Sequence, residues 1–290
     1  MTDPLLNRIL PNPDSTPGYL LWLSRPRFWL YLAGPVVVGV TYAAGGPGDL
    51  FRPIAVALFA YFLFPANVFL YGVNDLFDAD VDVENPKKDD REIRYQQDRA
   101  VGAVIALSGL LGGLFLPFLP AAGAVGMIGF LALAVEYSAP PLRFKTTPFF
   151  DSLSNGLYVL PGVVAYAAVA GGAPPVAAVA GGWLWAMGMH TFSAIPDIGP
   201  DRAAGIETTA TRLGKARTYL YCGGCWLAAA LVFGTVHPFF AALLGIYPVF
   251  VAVVAATDLP VGRVYWWFPA LNTAVGTLFT LAGLWVTLYG

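Results

Sequence analysis

The sequence is short of charged residues. Asp, Glu, Lys and Arg together make up 12% of the 290 residues, whereas hydrophobic residues make up 57%. A soluble domain carries about 25% charged residues, so roughly half of the usual charge is missing. We therefore expect a chain that is surrounded by membrane lipid and has no nucleic-acid partner.

Cysteine is nearly absent as well. Cys222 and Cys225 form a CxxC spacing inside an apolar stretch, and the sequence has no second pair of cysteines. This pattern favours small residues that pack between helices over a redox or metal site. Residues 1–17 are polar and rich in proline, which is not typical of a cleavable signal peptide. The first apolar segment is therefore expected to remain as a membrane helix.

Nine apolar windows follow one another along the chain, and several of the connections between them are rich in glycine and proline. The windows lie near residues 28–44, 52–73, 101–118, 121–138, 153–171, 175–195, 217–234, 238–256 and 265–288. A helix of about 20 residues crosses a bilayer, and most windows approach that length. The pattern predicts an all-α fold, a polytopic membrane bundle of about nine transmembrane helices. Residues 1–290 are expected to form a single domain.

Basic residues orient this predicted bundle. With nine spans and the N-terminus inside, every Lys and Arg except Arg52 falls in an inner segment, in agreement with the positive-inside rule. We predict a multi-pass protein of the cell membrane with a cytoplasmic N-terminus. Most acidic residues also fall on the inner side, and orientation does not explain them. The inner loops, at about residues 74–100, 139–152 and 196–216, are therefore expected to cap an active site.

The first acidic cluster lies at the inner end of the second window. If the helix continues, the cluster falls within about a quarter of its circumference. It consists of Asn74, Asp75, Asp78 and Asp82, with Asn67 and Tyr71 on the same face and Asp80 pointing away. Carboxylates this close repel one another unless a cation lies between them, and Mg²⁺ commonly takes one or two carboxylates plus phosphate oxygens. A solvated acidic loop is the alternative, but it does not require the aligned asparagines.

The second acidic cluster ends the sixth window. Asp197 and Asp201 are four residues apart, so a helical backbone places them on one face. Pro196, Gly199 and Pro200 predict a broken or restarting helix rather than a straight one. Two clusters at inner helix ends predict two Mg²⁺ sites that hold a diphosphate between them, where the metals neutralise charge on the leaving group.

Basic residues near the same membrane level are candidates for binding the phosphate oxygens. Arginine suits bidentate phosphate contacts, and lysine acts as a point charge. A role as orientation determinants alone is the alternative for each of them. The candidates are Arg25, Arg27, Lys87, Lys88, Arg91, Arg94, Arg143, Lys145 and Arg202.

These segments resemble the UbiA-type family of intramembrane prenyltransferases. The run from Asn74 to Asp82 is similar to the first family motif, and the pair Asp197 and Asp201 to the second. The segment 137–145 resembles the family segment that follows the fourth span. The resemblance covers nearly the whole chain. It implies a helical bundle with a central cavity, dependence on Mg²⁺, and transfer of a prenyl group from its diphosphate to a lipophilic acceptor.

The resemblance also implies roles for individual residues. The acids hold Mg²⁺ while Asn74 orients the site, and the departing diphosphate leaves an allylic cation that aromatic rings stabilise. The metal ligands implied are Asp75, Asp78, Asp82, Asp197 and Asp201. The residues implied around the substrate are Asn67, Tyr71, Tyr137 and Ser138. An ion-coupled transporter is the alternative class, but transporter sites lie near the bilayer centre, often between inverted repeats.

A finer resemblance, to the lycopene elongase branch of the family, concerns the acceptor. It is carried by segments 24–29, 84–95 and 195–197. It implies dimethylallyl diphosphate as donor and lycopene as acceptor in C50 carotenoid biosynthesis. A quinone precursor, a chlorin or a glycerol-phosphate lipid remains the alternative acceptor. His190 is interpreted as a packing residue, with a role as a base as its alternative.

Overall fold

The structure, a computed structural model, describes residues 15–78, 99–257 and 259–289. Within these ranges the chain forms helices and turns and no β-strand, which confirms the all-α prediction. The α-helices are α1 (Thr16–Leu23), α2 (Trp29–Ala43), α3 (Pro53–Leu63), α4 (Pro65–Asp78), α5 (Arg99–Gly113), α6 (Ala121–Glu136), α7 (Phe150–Leu153), α8 (Leu160–Ala170), α9 (Val176–Ser193), α10 (Ile198–Ala203), α11 (Thr209–Leu213), α12 (Lys215–Gly234), α13 (Pro238–Leu244), α14 (Ile246–Ala256) and α15 (Val261–Tyr289).

The longer helices coincide with the predicted apolar windows, whereas the short helices α1, α10 and α11 lie outside them. Each window contains one helix or two consecutive helical segments. Among the described residues, five helical segments are long and apolar enough to cross a membrane: Pro53–Asp78, Arg99–Phe118, Phe150–Ala170, Pro238–Ala256 and Val261–Tyr289. The polytopic character is therefore confirmed, whereas the exact number of nine spans remains a prediction.

A proline and an asparagine shape the second predicted span. Phe64 separates α3 from α4, because Pro65 has no N–H group with which to continue the helical ladder. The fully buried Asn67 donates from Nδ2 to the carbonyl oxygens of Phe62 and Leu63, at 2.9 and 3.0 Å. These bonds satisfy backbone groups next to the break. Asn67 therefore stabilises the break between α3 and α4, and it is not among the residues that line the cavity described below.

The helices pack around two hydrophobic cores. The first core joins α1–α6 with α8 and includes the fully buried Phe62 and Phe130. The second joins helices from α9 to α15 and includes Trp226 and Phe268. Because α2 packs against both α8 and α15, it lies at the seam between the two cores. Both cavities described below are lined in part by α2.

α2 and α8 approach each other closely at two glycines. A Cβ atom added to Gly39 would lie 2.3 Å from the carbonyl oxygen of Gly162, and one added to Gly162 would lie 2.9 Å from that of Pro35. Small residues permit such close approach between membrane helices. The opposing atoms belong to the backbone, so no side chain can rotate to relieve a clash.

We predict that Gly39→Ala separates α2 from α8 and lowers the free energy of unfolding by about 1–3 kcal/mol, the usual cost of overpacking. Gly34→Ala on the same helix is the matched control, because a Cβ atom there has no neighbour within 4 Å. The thermal midpoint of the purified protein in detergent should fall for Gly39→Ala and stay near the wild-type value for Gly34→Ala. Equal midpoints for the two variants would contradict the backbone contact.

Candidate active site

A cavity of about 220 Å³ lies beside the end of α4. Its wall is largely aromatic and includes Phe28, Phe268 and the tyrosines Tyr31, Tyr71, Tyr137, Tyr158 and Tyr265. Its polar lining consists of Arg25, Asn74, Asn155, His190 and Ser193. An apolar cavity with a few convergent polar groups is the usual form of a small-molecule site.

Asp75 is buried at the end of α4 and is paired with Arg25. Nη2 of Arg25 lies 3.1 Å from Oδ1 of Asp75, and the guanidinium carbon lies 4.7 Å from the centroid of the Tyr71 ring. Arg25 has a φ of 50°, which is unfavourable for a residue with a Cβ atom. The ion pair and the cation–π contact hold Arg25 against the first acidic motif, at the cavity wall.

Asp78 is paired with the segment that follows α6. Lys145 donates from Nζ to Oδ1 of Asp78, and Nη2 of Arg143 lies 3.5 Å from the same oxygen. The backbone N–H of Lys145 donates to the carbonyl oxygen of Tyr137 at 3.0 Å and so closes the turn. Two residues that were predicted to bind the diphosphate therefore lie beside a predicted metal ligand.

Asn74 faces the cavity and is held by Ser138. Oγ of the fully buried Ser138 donates to Oδ1 of Asn74 at 2.8 Å. Because Tyr137 precedes Ser138 and lines the same cavity, one short segment positions both the amide of Asn74 and an aromatic wall. The structure thus brings Tyr71, Asn74, Tyr137 and Ser138 together, as the sequence led us to expect.

The second acidic motif lies on a helix that restarts. α9 ends at Ser193, a helical turn spans Ile195–Asp197, and α10 begins at Ile198. Asp197 and Asp201 are half-buried at this restart. Arg202 points elsewhere: its Nη2 donates to the carbonyl oxygen of Thr211 at 2.6 Å, where it caps α11. The bent geometry agrees with the prediction from the prolines, and Arg202 makes a structural hydrogen bond while its contact with phosphate stays a prediction.

The sequence analysis missed Asp151, which fixes the loop after the second motif. Its buried carboxylate accepts a hydrogen bond from the backbone N–H of Thr209 at 2.9 Å and another from the Thr209 hydroxyl. The backbone N–H of Phe149 donates to the same hydroxyl oxygen at 2.7 Å. These bonds tie α7 to α11. A lone acid at the start of an apolar window is the signal that would have revealed it, because an unpaired charge there is costly.

One predicted basic residue, Arg27, contacts α15. The guanidinium of Arg27 stacks 3.5 Å from the Trp266 ring centroid and donates to the carbonyl oxygens of Tyr265 and Trp266, so it joins the start of α2 to α15. Four predicted site residues lie outside the described residues: Asp82, Lys87, Arg91 and Arg94. Asp80 and Lys88 lie outside them as well.

The donor chemistry of the two motifs fits Mg²⁺. Asp75, Asp78, Asp197 and Asp201 offer carboxylate oxygens at two helix ends, and Mg²⁺ requires only one or two carboxylates when phosphate oxygens and waters complete its octahedron. Within the part of the chain that the structure describes, no three His, Cys, Asp or Glu residues converge on one point. The carboxylates at the two helix ends therefore suit a metal that also takes phosphate oxygens and waters as ligands.

A second, larger cavity of about 560 Å³ adjoins the first. Its lining is almost entirely apolar and comes mainly from α2, α8, α9 and α15. Tyr31 and Tyr158 line both cavities and meet edge to face, with ring centroids 6.0 Å apart. A polar compartment and an apolar compartment thus share one aromatic wall.

Solved structures of similar fold provide the first comparison. A UbiA homolog from Archaeoglobus fulgidus bound to DMAPP and Mg²⁺ matches with a TM-score of 0.70 and 18% sequence identity, over 91% of this chain and 98% of that one. An apo UbiA homolog from Aeropyrum pernix matches with a TM-score of 0.67 and 21% identity, over 90% of this chain and 98% of that one. At these identities the likeness concerns the fold.

Sequence comparison is more specific. A lycopene elongase/hydratase from Haloarcula japonica is 62% identical over 286 residues, which cover 98% of this chain and 97% of that protein. One from Haloferax volcanii is 63% identical over 268 residues, or 92% and 89% of the two chains. Residues 32–272 match the sequence pattern of the UbiA prenyltransferase family. The chain therefore belongs to the UbiA prenyltransferase family.

Proposed function

We propose that this prenyltransferase transfers a dimethylallyl group from dimethylallyl diphosphate to lycopene, as a step of C50 carotenoid biosynthesis. The names of the haloarchaeal relatives support the acceptor, since more than 60% identity extends over nearly the whole chain. The observation on which the proposal chiefly rests is the pair of adjoining cavities, one beside the acidic motif and the other apolar. A charged donor and an oily acceptor require these two environments side by side.

The diphosphate end of the donor is assigned to the ends of α4 and α9. Mg²⁺, in a number that we propose to be two, would be held by Asp75, Asp78, Asp82, Asp197 and Asp201 and would neutralise charge on the leaving diphosphate as a Lewis acid. Arg25, Arg143 and Lys145 contact the carboxylates of the first motif, so they lie beside the diphosphate and bind its oxygens. Lys87, Arg91, Arg94 and Arg202 are proposed to contribute from the adjacent loops.

The prenyl end of the donor is assigned to the aromatic cavity. When the bond between the prenyl carbon and the diphosphate breaks, positive charge develops on the allylic group. Tyr71 and Tyr137 present π-systems in the cavity wall, which stabilise a cation electrostatically and offer no strong nucleophile. Asn74, held by Ser138, fixes the boundary between this wall and the acidic motif.

The acceptor is assigned to the larger apolar cavity. Lycopene is a hydrocarbon with no hydroxyl group to ionise, so it needs burial rather than hydrogen bonds, and the lining surface of this cavity is mostly apolar. Tyr31 and Tyr158 line both cavities, and this supports the proposal that the terminal double bond of the acceptor reaches the allylic cation there. We further propose that the acidic motifs face the cytoplasm, where water-soluble diphosphates are available.

An acceptor and donor screen tests the proposal. Membranes that contain the protein are incubated with Mg²⁺ and labelled dimethylallyl, geranyl or geranylgeranyl diphosphate. Lycopene, a quinone precursor, a chlorin or a glycerol-phosphate lipid is then supplied as acceptor. We expect coupled product from dimethylallyl diphosphate and lycopene. Coupling to one of the other acceptors with none to lycopene would replace the proposed acceptor while leaving the family chemistry intact.

We predict that Asp78→Asn lowers kcat by at least about 100-fold, because oriented electrostatic stabilisation of this kind contributes 10²–10³-fold per group. The variant keeps the size of the side chain but removes a charge from the metal-binding motif. Asp49→Asn is the matched control, because Asp49 pairs with Arg52 in the loop between α2 and α3, far along the chain from the motif. Both variants should be recovered from detergent as monodisperse protein. Full activity of Asp78→Asn would remove Asp78 from the proposed site.

We predict that Arg25→Gln raises the KM for dimethylallyl diphosphate by about 10- to 100-fold, since a hydrogen bond to a charged group contributes roughly 1.5–3 kcal/mol. Arg52→Gln, which also loses an ion pair with an aspartate, is the control and should leave KM unchanged. Initial rates at varied diphosphate concentration give both constants. A similar KM in the two variants would indicate that Arg25 only neutralises Asp75.

A further inference from the structure

His190 occupies a distinctive place in the smaller cavity. Among the described residues that line it, His190 is the one with a basic ring nitrogen. The remaining lining residues are phenols, amides, apolar groups, the hydroxyl of Ser193 and the permanently charged Arg25. The cavity in which the proposed carbocation forms therefore contains one suitable nitrogen base.

Tyr137 orients this base. The phenol oxygen of Tyr137 lies 3.4 Å from Nε2 of His190, and the two rings meet edge to face with centroids 5.8 Å apart. Tyr137 belongs to the turn that brings Lys145 to Asp78. His190 is thereby connected, through one neighbouring residue, to the end of the cavity that we assign to the diphosphate.

Polar side chains near His190 provide hydrogen-bond partners for a water molecule in the cavity. A water held inside a protein needs 2–4 polar partners, and the cavity lining provides Asn155, His190 and Ser193 together with the Tyr137 hydroxyl. His190 is half-buried and borders the cavity. A histidine that served packing alone would not need to border a cavity beside several polar groups.

His237 provides a contrast within the same chain. Its Nδ1 accepts a hydrogen bond from the backbone N–H of Phe239 at 3.2 Å, and it caps the start of α13. The position is exposed and distant along the chain from the acidic motifs. His237 thus caps a helix, whereas the side chain of His190 lines the cavity.

The proposed reaction must end by removing a positive charge. Pyrophosphate leaves with the bonding electrons, and the π-electrons of the acceptor's terminal double bond form the new C–C bond. The charge then lies on a tertiary carbon of the acceptor. Loss of a proton from an adjacent carbon gives a double bond, whereas attack by water gives a tertiary alcohol.

We propose that His190 orients and deprotonates the water that ends the reaction, with Tyr137 as its positioning residue; this role rests on the proposed transfer to lycopene. A lone pair of the water forms the C–O bond, and the proton that this oxygen sheds passes to Nδ1 of His190, because Nε2 faces the Tyr137 hydroxyl. The imidazolium then returns the proton to released pyrophosphate or to solvent. Without His190, the same cation loses a proton from carbon and becomes an alkene.

The ratio of hydrated to unhydrated coupled product tests this role, because the ratio does not depend on the amount of folded enzyme. Wild-type protein, His190→Gln, Tyr137→Phe and the control His237→Asn are assayed with lycopene and dimethylallyl diphosphate in H₂¹⁸O. We expect His190→Gln to lower the ratio by at least about tenfold, since a positioned base contributes 10²–10⁴-fold. The His190→Gln variant should still couple the dimethylallyl group to lycopene. Tyr137→Phe should lower the ratio less, and His237→Asn should leave it unchanged.

The outcomes separate this inference from the proposed function. If wild-type protein couples nothing to lycopene, the proposed function fails. If it couples but incorporates no ¹⁸O, or if the ratio is unchanged in His190→Gln, the role of His190 is overturned while the transfer stands. Reduced total coupling with an unchanged ratio also overturns it, since His190 would then act before the cation forms. If His190→Gln is not recovered from membranes, His190→Asn is read by the same ratio.

Discussion

The carboxylates at the end of α4 lie inside an otherwise apolar bundle because each is matched by a cation from another part of the chain. Asp75 pairs with Arg25 from the segment before α2, and Asp78 pairs with Lys145 and Arg143 from the segment after α6. An unmatched charge at this depth would be costly. These pairs therefore help to hold the segments around α2, α4 and α6 together beside the cavity, which Arg25 lines.

The same pairing prepares the site for an anion. A cluster of carboxylates alone would repel a diphosphate, and a cluster of cations alone would be destabilised by its own repulsion. When both signs lie in one place, binding of a metal to the acids leaves the basic side chains beside the phosphate oxygens. The positive φ of Arg25 and of Arg143 accompanies this arrangement, and backbone strain of this kind is common where a binding site restricts the chain.

The two hydrophobic cores explain why a cavity persists beside this site. α2 contacts both α8 and α15, and the backbone contact of Gly39 with Gly162 fixes one side of the seam. On the other side, Asn272 of α15 accepts a hydrogen bond from the Tyr247 hydroxyl and donates one to the Tyr31 hydroxyl, at 2.9 and 3.0 Å. Tyr31 is thus held in place in the wall that the two cavities share. A wall of fixed aromatic rings can stabilise a cation on one side while admitting an apolar acceptor on the other.

Composition and periodicity by themselves determined that the chain is an all-helical membrane protein with two acidic motifs at helix ends. Hydrophobicity and helical phase are local properties, so the grouping of Asn74, Asp75 and Asp78, and the bend at Pro196, could be read from neighbouring residues. Family resemblance added the reaction class. The phase of a single helix, however, does not tell whether a polar side chain faces a cavity or bonds to its own helix. Asn67 was assigned to the pocket for this reason, although it donates to the carbonyl oxygens of Phe62 and Leu63.

Only the tertiary structure decided which distant side chains meet. Lys145 contacts Asp78, Asp151 contacts Thr209, and His190 contacts Tyr137, each across a long stretch of sequence. Such contacts depend on how whole helices pack, and the packing is set by shape and backbone approach, which leave no periodic pattern in the sequence. The sequence thus determined the chemical groups and the membrane face on which we expect them, and the packing of the helices decided which of those groups surround the cavity.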